Sequence, residues 1–580
     1  MKLTMKKIHK TIGVILVLLS ISISCDLDQD LADPNEISVA GADVNYIMNG
    51  ILLDFADFYS FASGNSVDPS ETAFGPDRLV RMRAMTTGYR YQTAAQAQFV
   101  DNTWEWAYSK VLVNIETVLP LLEEKTLTTQ VGIAKILKAY TYLTLVDLFG
   151  DVPASAALNG PGGDFNPIAD PGESIYDTAI SLLGEARTEL TKTGADAGPA
   201  MAAGSDVYYG GNRAAWIKLA NSLELKAMLN LSLVAARTAG ANARIAALIA
   251  ENNLVDTPGT TFAASESFTY KYGTASVPYS RHPLYRQYYQ PTEGSASGYI
   301  CNSFLAELFY LKGVEDPRWR YYFYRQVGSI NPKANEVDPK SVGCTEGAIP
   351  SHYATGNYEF CTFEPGFYGR DHGDASGTPP DAQVLTCTGA YPSGGRADVT
   401  SITNANYYQV TKEGQGGNGA GIEPIFMTSF NDYMIAEYYA RIGDNANAKT
   451  FLLSAIDKSI TEVKAFCTSI GQTVPPNLQP STTAYTDVVS AMFDAAPNKV
   501  KVIGREFYAA CYGNGIEAYN IYRRTSAPDN MQPTLQINPG PFLRSLIYPA
   551  IYVNLNSEAT QKDYDATVKV FWDTNPDVLN

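Results

Sequence analysis

The strongest constraint on this chain is helical. Side chains at Ile133, Ile136, Leu137, Tyr140, Leu143, Thr144 and Leu148 recur at intervals of three and four, which gathers them on one face of an amphipathic helix. Gly150, followed by Pro153, ends that helix. A second run, Trp216, Leu219, Ala220, Leu223, Ala227 and Leu231, starts behind Asn212, whose side-chain oxygen suits an N-cap. Further helical periods cover 43–59, 97–123, 174–191, 300–311, 430–442, 445–465 and 500–523. The consecutive runs 97–123 and 128–149, and again 430–442 and 445–465, read as helix pairs on short turns. Stacked pairs predict a mainly α, tetratricopeptide-like scaffold, although no strict repeat of about 34 residues is legible.

Between about 255 and 428 the helical period fades and Tyr, Gly, Pro and Ser dominate. Ser267–Tyr272 alternates like a strand of a hairpin. A loop-rich span of this length inside a domain is either functional or disordered, and its aromatic content argues against disorder. It is the expected ligand-facing region. Tyr279, Tyr285, Tyr288, Tyr289 and Tyr299 cluster there, then Trp319, Tyr321, Tyr322 and Tyr324, then Phe363, Phe367 and Tyr368. Flat rings suit sugar faces or peptide side chains; rings of this size equally pack a core beneath loops. Gly366–Asp374 adds Arg370, Asp371, His372 and Asp374 on a permissive backbone. That set would either hydrogen-bond ligand hydroxyls and charged peptide groups or form an internal salt-bridged turn. The candidate ligand-binding residues are therefore Tyr285, Tyr288, Tyr289, Trp319, Tyr368, Arg370, Asp371, His372 and Asp374.

Signatures of catalysis are missing. Gly414-Gln415-Gly416-Gly417-Asn418-Gly419 satisfies GxGxxG, but Gly421-Ile422-Glu423-Pro424 follows it, where a dinucleotide site needs a helix facing the pyrophosphate. A flexible loop is the expected reading. No HExxH or GxSxG occurs, and beyond the first 24 residues the only histidines are His282, His352 and His372. Those do not easily fill a zinc site plus a catalytic base. Distant carboxylates paired for glycoside cleavage stay open, but Glu105, between Trp104 and Trp106 on a helical pattern, reads as packing and solvation. No catalytic, cofactor or metal set is assigned, and the chain reads as a binding protein rather than an enzyme. Cys301, Cys344, Cys361, Cys387, Cys467 and Cys511 permit disulfides in an exported protein. Pairing is expected among some of Cys344, Cys361 and Cys387, which share the loop-rich region; the absence of any CxxC disfavours zinc.

The first 24 residues combine Lys2, Lys6, Lys7 and Lys10 with an apolar run from Thr11 to Leu19 and small residues before Cys25. That is a signal peptide, too short for a spanning helix, which needs about 20 apolar residues. Cys25 stands where bacterial lipoprotein processing acylates a cysteine; Ser22 departs from the usual Leu. Acyl chains would then anchor the protein, each buried CH₂ contributing about 0.8 kcal/mol. Losing four lysines and no acid moves the formal net charge from −17 to −21. Such a charge excludes nucleic acid as a natural partner.

Several segments resemble one family over the whole mature chain. Ile136–Pro153, with its FGDVP ending, is similar to a signature of the SusD/RagB family of outer-membrane nutrient-binding lipoproteins. Trp216–Leu223 resembles a second helical signature, Asp316-Pro317-Arg318 a DPR turn, and Gly513–Arg524 a late GxExYxxYRR helix. Leu546–Pro549, Asn554 and Phe571-Trp572-Asp573 follow in order, and Gly369–Asp374 with Tyr391-Pro392 and Gly394-Gly395 resembles a subgroup of that family. The acidic Asp26–Asp30 segment resembles the surface-export signal of Bacteroidetes lipoproteins. The resemblance implies a signal peptide at 1–24, a lipidated acidic tether at 25–42 and one domain at 43–580. Its helical scaffold would occupy about 43–254 and 429–580, with loops and small hairpins at about 255–428 facing the ligand. It further implies an outer-membrane protein facing the cell exterior that captures oligosaccharides or peptides for a SusC-like TonB-dependent transporter. A surface hydrolase and a purely structural lid of the transporter are the alternatives.

Overall fold

The helix at Thr128–Phe149 is buried on almost all sides. In the computed structural model the described residues are 43–65, 75–85, 91, 95–159, 162, 165–256, 262–276, 280–291, 299–325, 362–363, 367–373, 386–399, 411–534, 536, 538–564 and 568–576. The segment expected to be amphipathic, Thr128–Phe149, buries every residue except Lys135 and Lys138. Those two lysines reach outward to Glu185, at 2.9 Å, and to Glu116. A helix apolar all round is a central element rather than a surface one. Gly132 lets a neighbour approach, since a Cβ there would stand 2.5 Å from Leu190. Gly150 ends the helix at φ +77°, as expected of a positive-φ terminator.

The described helices of more than five residues, apart from the π segment below and Ala550–Leu555, are α1 Val44–Ser63, α2 Val113–Glu124, α3 Thr128–Phe149, α4 Gly172–Thr191, α5 Arg213–Leu231, α6 Thr238–Glu251, α7 Pro283–Tyr288, α8 Asn302–Phe309, α9 Thr428–Arg441, α10 Asn445–Ser469, α11 Thr482–Ala495, α12 Lys499–Ala510 and α13 Gly515–Thr525. The chain divides into Met1–Ile47 and Met48–Asn580. Cys25 and the signal and tether segments lie outside the described residues. Among the described residues no helix is long and apolar enough to cross a membrane.

The mainly α, tetratricopeptide-like reading holds. α9 runs along α10 as expected, whereas α3 packs chiefly along α4, with α2 a lesser neighbour. The 97–123 period is interrupted: a 3₁₀ turn at Ala97–Val100 and a short helix at Asp101–Glu105 precede a π segment at Trp106–Leu112, the wider turn that often marks a local insertion. The 500–523 period is two helices. Gly513, at φ +92°, breaks it. Buried Asn514 then caps α13 by accepting from Glu517 N at 3.0 Å and donating to Pro424 O at 2.8 Å and Ile425 O at 3.1 Å. α6 and α11 were not expected, although Ala241, Ile245 and Leu248, and Tyr485, Val489 and Phe493, line their buried faces.

The six described strands are β1 Phe268–Lys271, β2 Phe323–Tyr324, β3 Thr362–Phe363, β4 Phe367–Tyr368, β5 Cys387–Thr388 and β6 Ile422–Phe426. They form three two-stranded antiparallel sheets, β1 with β6, β2 with β5 and β3 with β4. The expected strand at 267–272 is present but pairs with β6, far along the chain, rather than in a local hairpin. Its register shifts between Phe268 and Thr269, a bulge that re-aims the strand.

Two buried polar networks tie the helices together. Asp147, fully buried on α3, accepts from Tyr176 on α4, from Asn520 on α13 at 2.8 Å and from Trp572 at 3.0 Å, and its carboxylate lies 3.6 Å from Lys226 on α5. Lys226 also pairs with Glu517 on α13. Arg523 bonds Asp147 O at 2.6 Å and lies over Tyr519 and Trp572. In the second network Asp316 receives a bidentate pair from Arg318, at 2.9 and 2.7 Å, the geometry that makes guanidinium–carboxylate bonds strong. Tyr485 bridges Asp316 and Glu506, and Lys312 joins Glu506 at 3.0 Å.

Candidate ligand-binding site

Of the candidate residues, Tyr285, Tyr288, Tyr289, Trp319, Arg370, Asp371 and His372 are all buried. Tyr285, Tyr288 and Tyr289 are almost fully buried with Cys387, and Tyr299 packs against them. Spacing of four on the turn of α7 stacks Tyr285 on Tyr289, 4.5 Å apart and 6° from parallel. Each phenol then fastens a loop. Tyr285 donates to Gln415 O at 3.0 Å and accepts from Gly414 N at 3.0 Å. Tyr289 donates to Thr388 O at 3.1 Å and accepts from Arg396 N at 2.8 Å.

The glycine-rich turn is therefore ordered, not a flexible loop. Gly416 fits because a Cβ would stand 2.1 Å from Gly395 O. It leads into β6, not a helix, which removes the geometry a pyrophosphate site requires.

Trp319, likewise fully buried, donates to Glu315 at 2.8 Å, and the guanidinium of Arg320 lies 4.3 Å from its ring centroid. Asp398 joins Arg320 at 3.3 Å and Arg325 at 2.5 Å. Arg370 bridges backbone to backbone, donating to Ile300 O at 3.0 Å, while its guanidinium covers Tyr299 at 4.3 Å. Asp371 accepts from Asn302 and from Gln532, both at 2.9 Å. His372 is fully buried, and neither imidazole nitrogen has a hydrogen-bond partner among the described residues. Burial, with Arg81 nearby, holds its pKa well below the ordinary histidine value, so the ring is neutral.

These positions therefore correct the surface reading of Tyr285, Tyr288, Tyr289, Trp319, Arg370, Asp371 and His372. Asp371 is held by hydrogen bonds from Asn302 and Gln532, and the Arg370 guanidinium covers the Tyr299 ring; the salt-bridged turn expected as the alternative includes Asp374, which lies outside the described residues. Tyr368 lies in β4; its side chain, and Asp374, fall outside the described residues, as do Cys344 and Cys361. Cys387 is buried with its sulfur 3.9 Å from Thr411 Oγ1. Cys301, Cys467 and Cys511 are free buried thiols. The partners Asn302 and Gln532 stand 69 and 161 residues from Asp371, and no local pattern announces them.

Two of the surface clefts are lined entirely by described residues. One of about 350 Å³ lies between Trp104 and Tyr108, the Pro153–Pro167 stretch and Ile551–Asn556. Trp104 is sandwiched between Tyr108, at 4.8 Å, and Tyr552, at 4.6 Å, leaving Phe165 and Leu555 exposed at the rim. Its lining is mainly apolar, and Glu105 points to solvent as expected. The other, of about 430 Å³, is lined by Tyr208, Tyr209, Asn212, Lys218, Phe262 and Glu266, with Thr269 and Lys271 from β1. No group of three or more potential metal ligands occurs among the described residues.

The described residues define a class, a mainly helical scaffold of packed helix pairs that carries three two-stranded sheets. The chain belongs to the SusD-like family: residues 58–360 match the family model SusD-like_2, "Starch-binding associating with outer membrane". Among solved structures it is similar to a chitin-binding SusD homologue from Flavobacterium johnsoniae, at 16% identity and TM-score 0.62, covering 91% of this chain and 99% of that one. A SusD/RagB family protein from Bacteroides thetaiotaomicron aligns at 16% identity and TM-score 0.59, over 89% of this chain and 95% of the other. A SusD homologue from Bacteroides uniformis gives 16% identity, TM-score 0.60, and 91% and 100% coverage. No curated protein sequence matches.

Proposed function

We propose that this chain is a glycan-binding lipoprotein of the outer membrane that hands its ligand to a SusC-like TonB-dependent transporter. The observation that carries the reading is the match to a family whose model is described as starch-binding and associated with the outer membrane. Similarity to a chitin-binding homologue supports a saccharide as the ligand. Lipid on Cys25 would hold the protein to the surface, and the acidic stretch behind it would leave it free to move over the transporter. The loop-rich region at about 255–428 receives the ligand, with Tyr368 and Asp374 as contacts, while the buried Tyr285–Tyr289 stack, Trp319, Arg370, Asp371 and His372 hold the surrounding framework.

Peptides lose their main argument, because Arg370 and Asp371 are engaged internally. The role is capture without bond cleavage, in keeping with the chitin-binding homologue; of the described histidines, His282 and His372 are buried away from either cleft, and burial lowers His282 to about 3. Neither imidazole is placed to move a proton to a ligand. Electrophoresis of the mature protein through gels containing starch, chitin-derived or other polysaccharides tests the reading. Retardation by at least one glycan without shortening of its chains is the expected result. Hydrolysis, or retardation by none while peptides bind, contradicts it. Replacing Cys25→Ala is expected to release the protein from membranes, and persistent attachment contradicts the anchor.

A further inference from the structure

The larger cleft is built from three pieces of chain that local rules place independently. Loop 206–212 is drawn tight by Asp206, whose carboxylate accepts from Tyr208 N at 2.9 Å, Gly211 N at 2.9 Å and Trp216 Nε1 at 2.8 Å. Asn212 then starts α5, its Oδ1 accepting from Ala214 N and Ala215 N at 3.1 and 3.3 Å. Opposite lies the stretch from Phe262 through β1.

The aromatic part of the lining is rigid. Tyr208 donates to Leu52 O and Tyr209 to Glu266 O, both at 2.9 Å. Tyr208 packs on Phe268 at 4.3 Å, and Tyr209 sits edge-on to Trp216 at 5.3 Å. With both phenols spent on backbone carbonyls, the rings cannot swing away, so contact with a ligand costs little side-chain entropy.

The polar part of the lining is balanced. Lys218 and Glu266 pair at 2.6 Å while each stays partly exposed, at 28% and 31%. The second Glu266 oxygen accepts from Asp256 N at 3.0 Å. Lys271 lies over the Phe262 ring at 5.3 Å, and Asn212 lines the cleft as well, its oxygen serving as the α5 cap. The cleft thus offers fixed rings together with donors and acceptors of both kinds. An anionic ligand would approach a mature chain of formal net charge −21, an unfavourable field. A molecule with apolar ring faces and neutral hydroxyls matches each of these features, and about 430 Å³ lies within the range of about 300–1,000 Å³ usual for small-ligand sites.

We infer that the cleft between Tyr208, Tyr209, Asn212, Lys218, Glu266 and Lys271 is a binding site for a neutral oligosaccharide, separate from the loop-rich region around Arg370. The inference rests on the glycan-capture reading and assigns it a second, scaffold-borne site. It is tested by equilibrium titration of the mature protein with short chito- and malto-oligosaccharides. Two variants accompany it: Ala263→Trp, which fills the cleft from an exposed position, and Lys271→Ala, which removes one donor. Both are expected to keep the parent's unfolding temperature. Affinity at the cleft is expected to fall by about tenfold or more in the first and by a few-fold in the second. Unchanged affinity and stoichiometry in both variants overturn the site and leave glycan capture standing. Failure of every sugar to bind the unmodified protein overturns both.

Discussion

Asp147→Ala should damage this protein more than any surface change. The carboxylate is fully buried and serves Tyr176, Asn520 and Trp572 while standing 3.6 Å from Lys226. Its removal orphans three donors on three elements and leaves Lys226 with Glu517 and the Tyr140 ring. Breaking a buried pair from one side is destabilising by about 3–5 kcal/mol. An unfolding entropy near 2.1 cal/mol/K per residue, over roughly 530 residues, gives about 1.1 kcal/mol/K, so the midpoint should fall by about 3–5 °C. Asp147→Asn keeps an acceptor oxygen and the shape, and should lose only about 1–2 kcal/mol, or about 1–2 °C. Thermal unfolding followed by circular dichroism measures both. An alanine variant within about 1 °C of the parent, or an asparagine variant as damaged as the alanine, would refute the network's role in joining α3, α4, α5 and α13.

Asn514→Ala removes the α13 cap and the bonds to Pro424 and Ile425; a loss of about 2–3 kcal/mol in denaturant titration is expected, and a loss below about 0.5 kcal/mol contradicts it. Burial lifts Glu423 to about 8, whereas in the unfolded chain a glutamate titrates at about 4.3. The folded state therefore holds the extra proton, and stability declines as pH rises between those values. Glu423→Gln should accordingly gain on the parent at pH 8 and lose that advantage towards pH 5; a pH-independent difference argues against a protonated Glu423. Cys301, Cys467 and Cys511 are buried, and Cys301 is pushed up to about 12. Labelling by a thiol reagent, mapped by mass spectrometry, should spare all three until denaturant is added, and rapid modification in the native state counts against the packing.

Much of the scaffold was legible because its cues are local. Asn212 caps α5 and Gly150 ends α3 as their residue types require. The Ile136–Pro153, DPR and YRR segments were recognisable as a set, and in the structure Asp147, Asp316, Arg318 and Arg523 from them are fully buried in the two polar networks. Such residues specify the frame and carry no information about the ligand.

What failed was the inference of exposure. Arg370, Asp371 and His372 looked like a recognition surface because charge and glycine usually mean solvent, but their partners come from Tyr299, Asn302 and Gln532. Only tertiary proximity reveals those pairings. α6 escaped notice because alanines dilute its apolar stripe of Ala241, Ile245 and Leu248. The single period at 500–523 concealed a break because Gly513 and Asn514 interrupt the helix without interrupting the hydrophobic phase. The polar cleft could not be anticipated, since its walls join residues 208–218 to residues 262–271.

The central claim is that this member of the SusD-like family captures a glycan and leaves it intact. Calorimetric titration of the mature protein with starch- and chitin-derived oligosaccharides, followed by chromatography of the recovered sugar, tests it most directly. Saturable binding of at least one glycan, recovered at its original length, is the predicted result. Shortened products, or no heat from any glycan while a peptide binds, would contradict it.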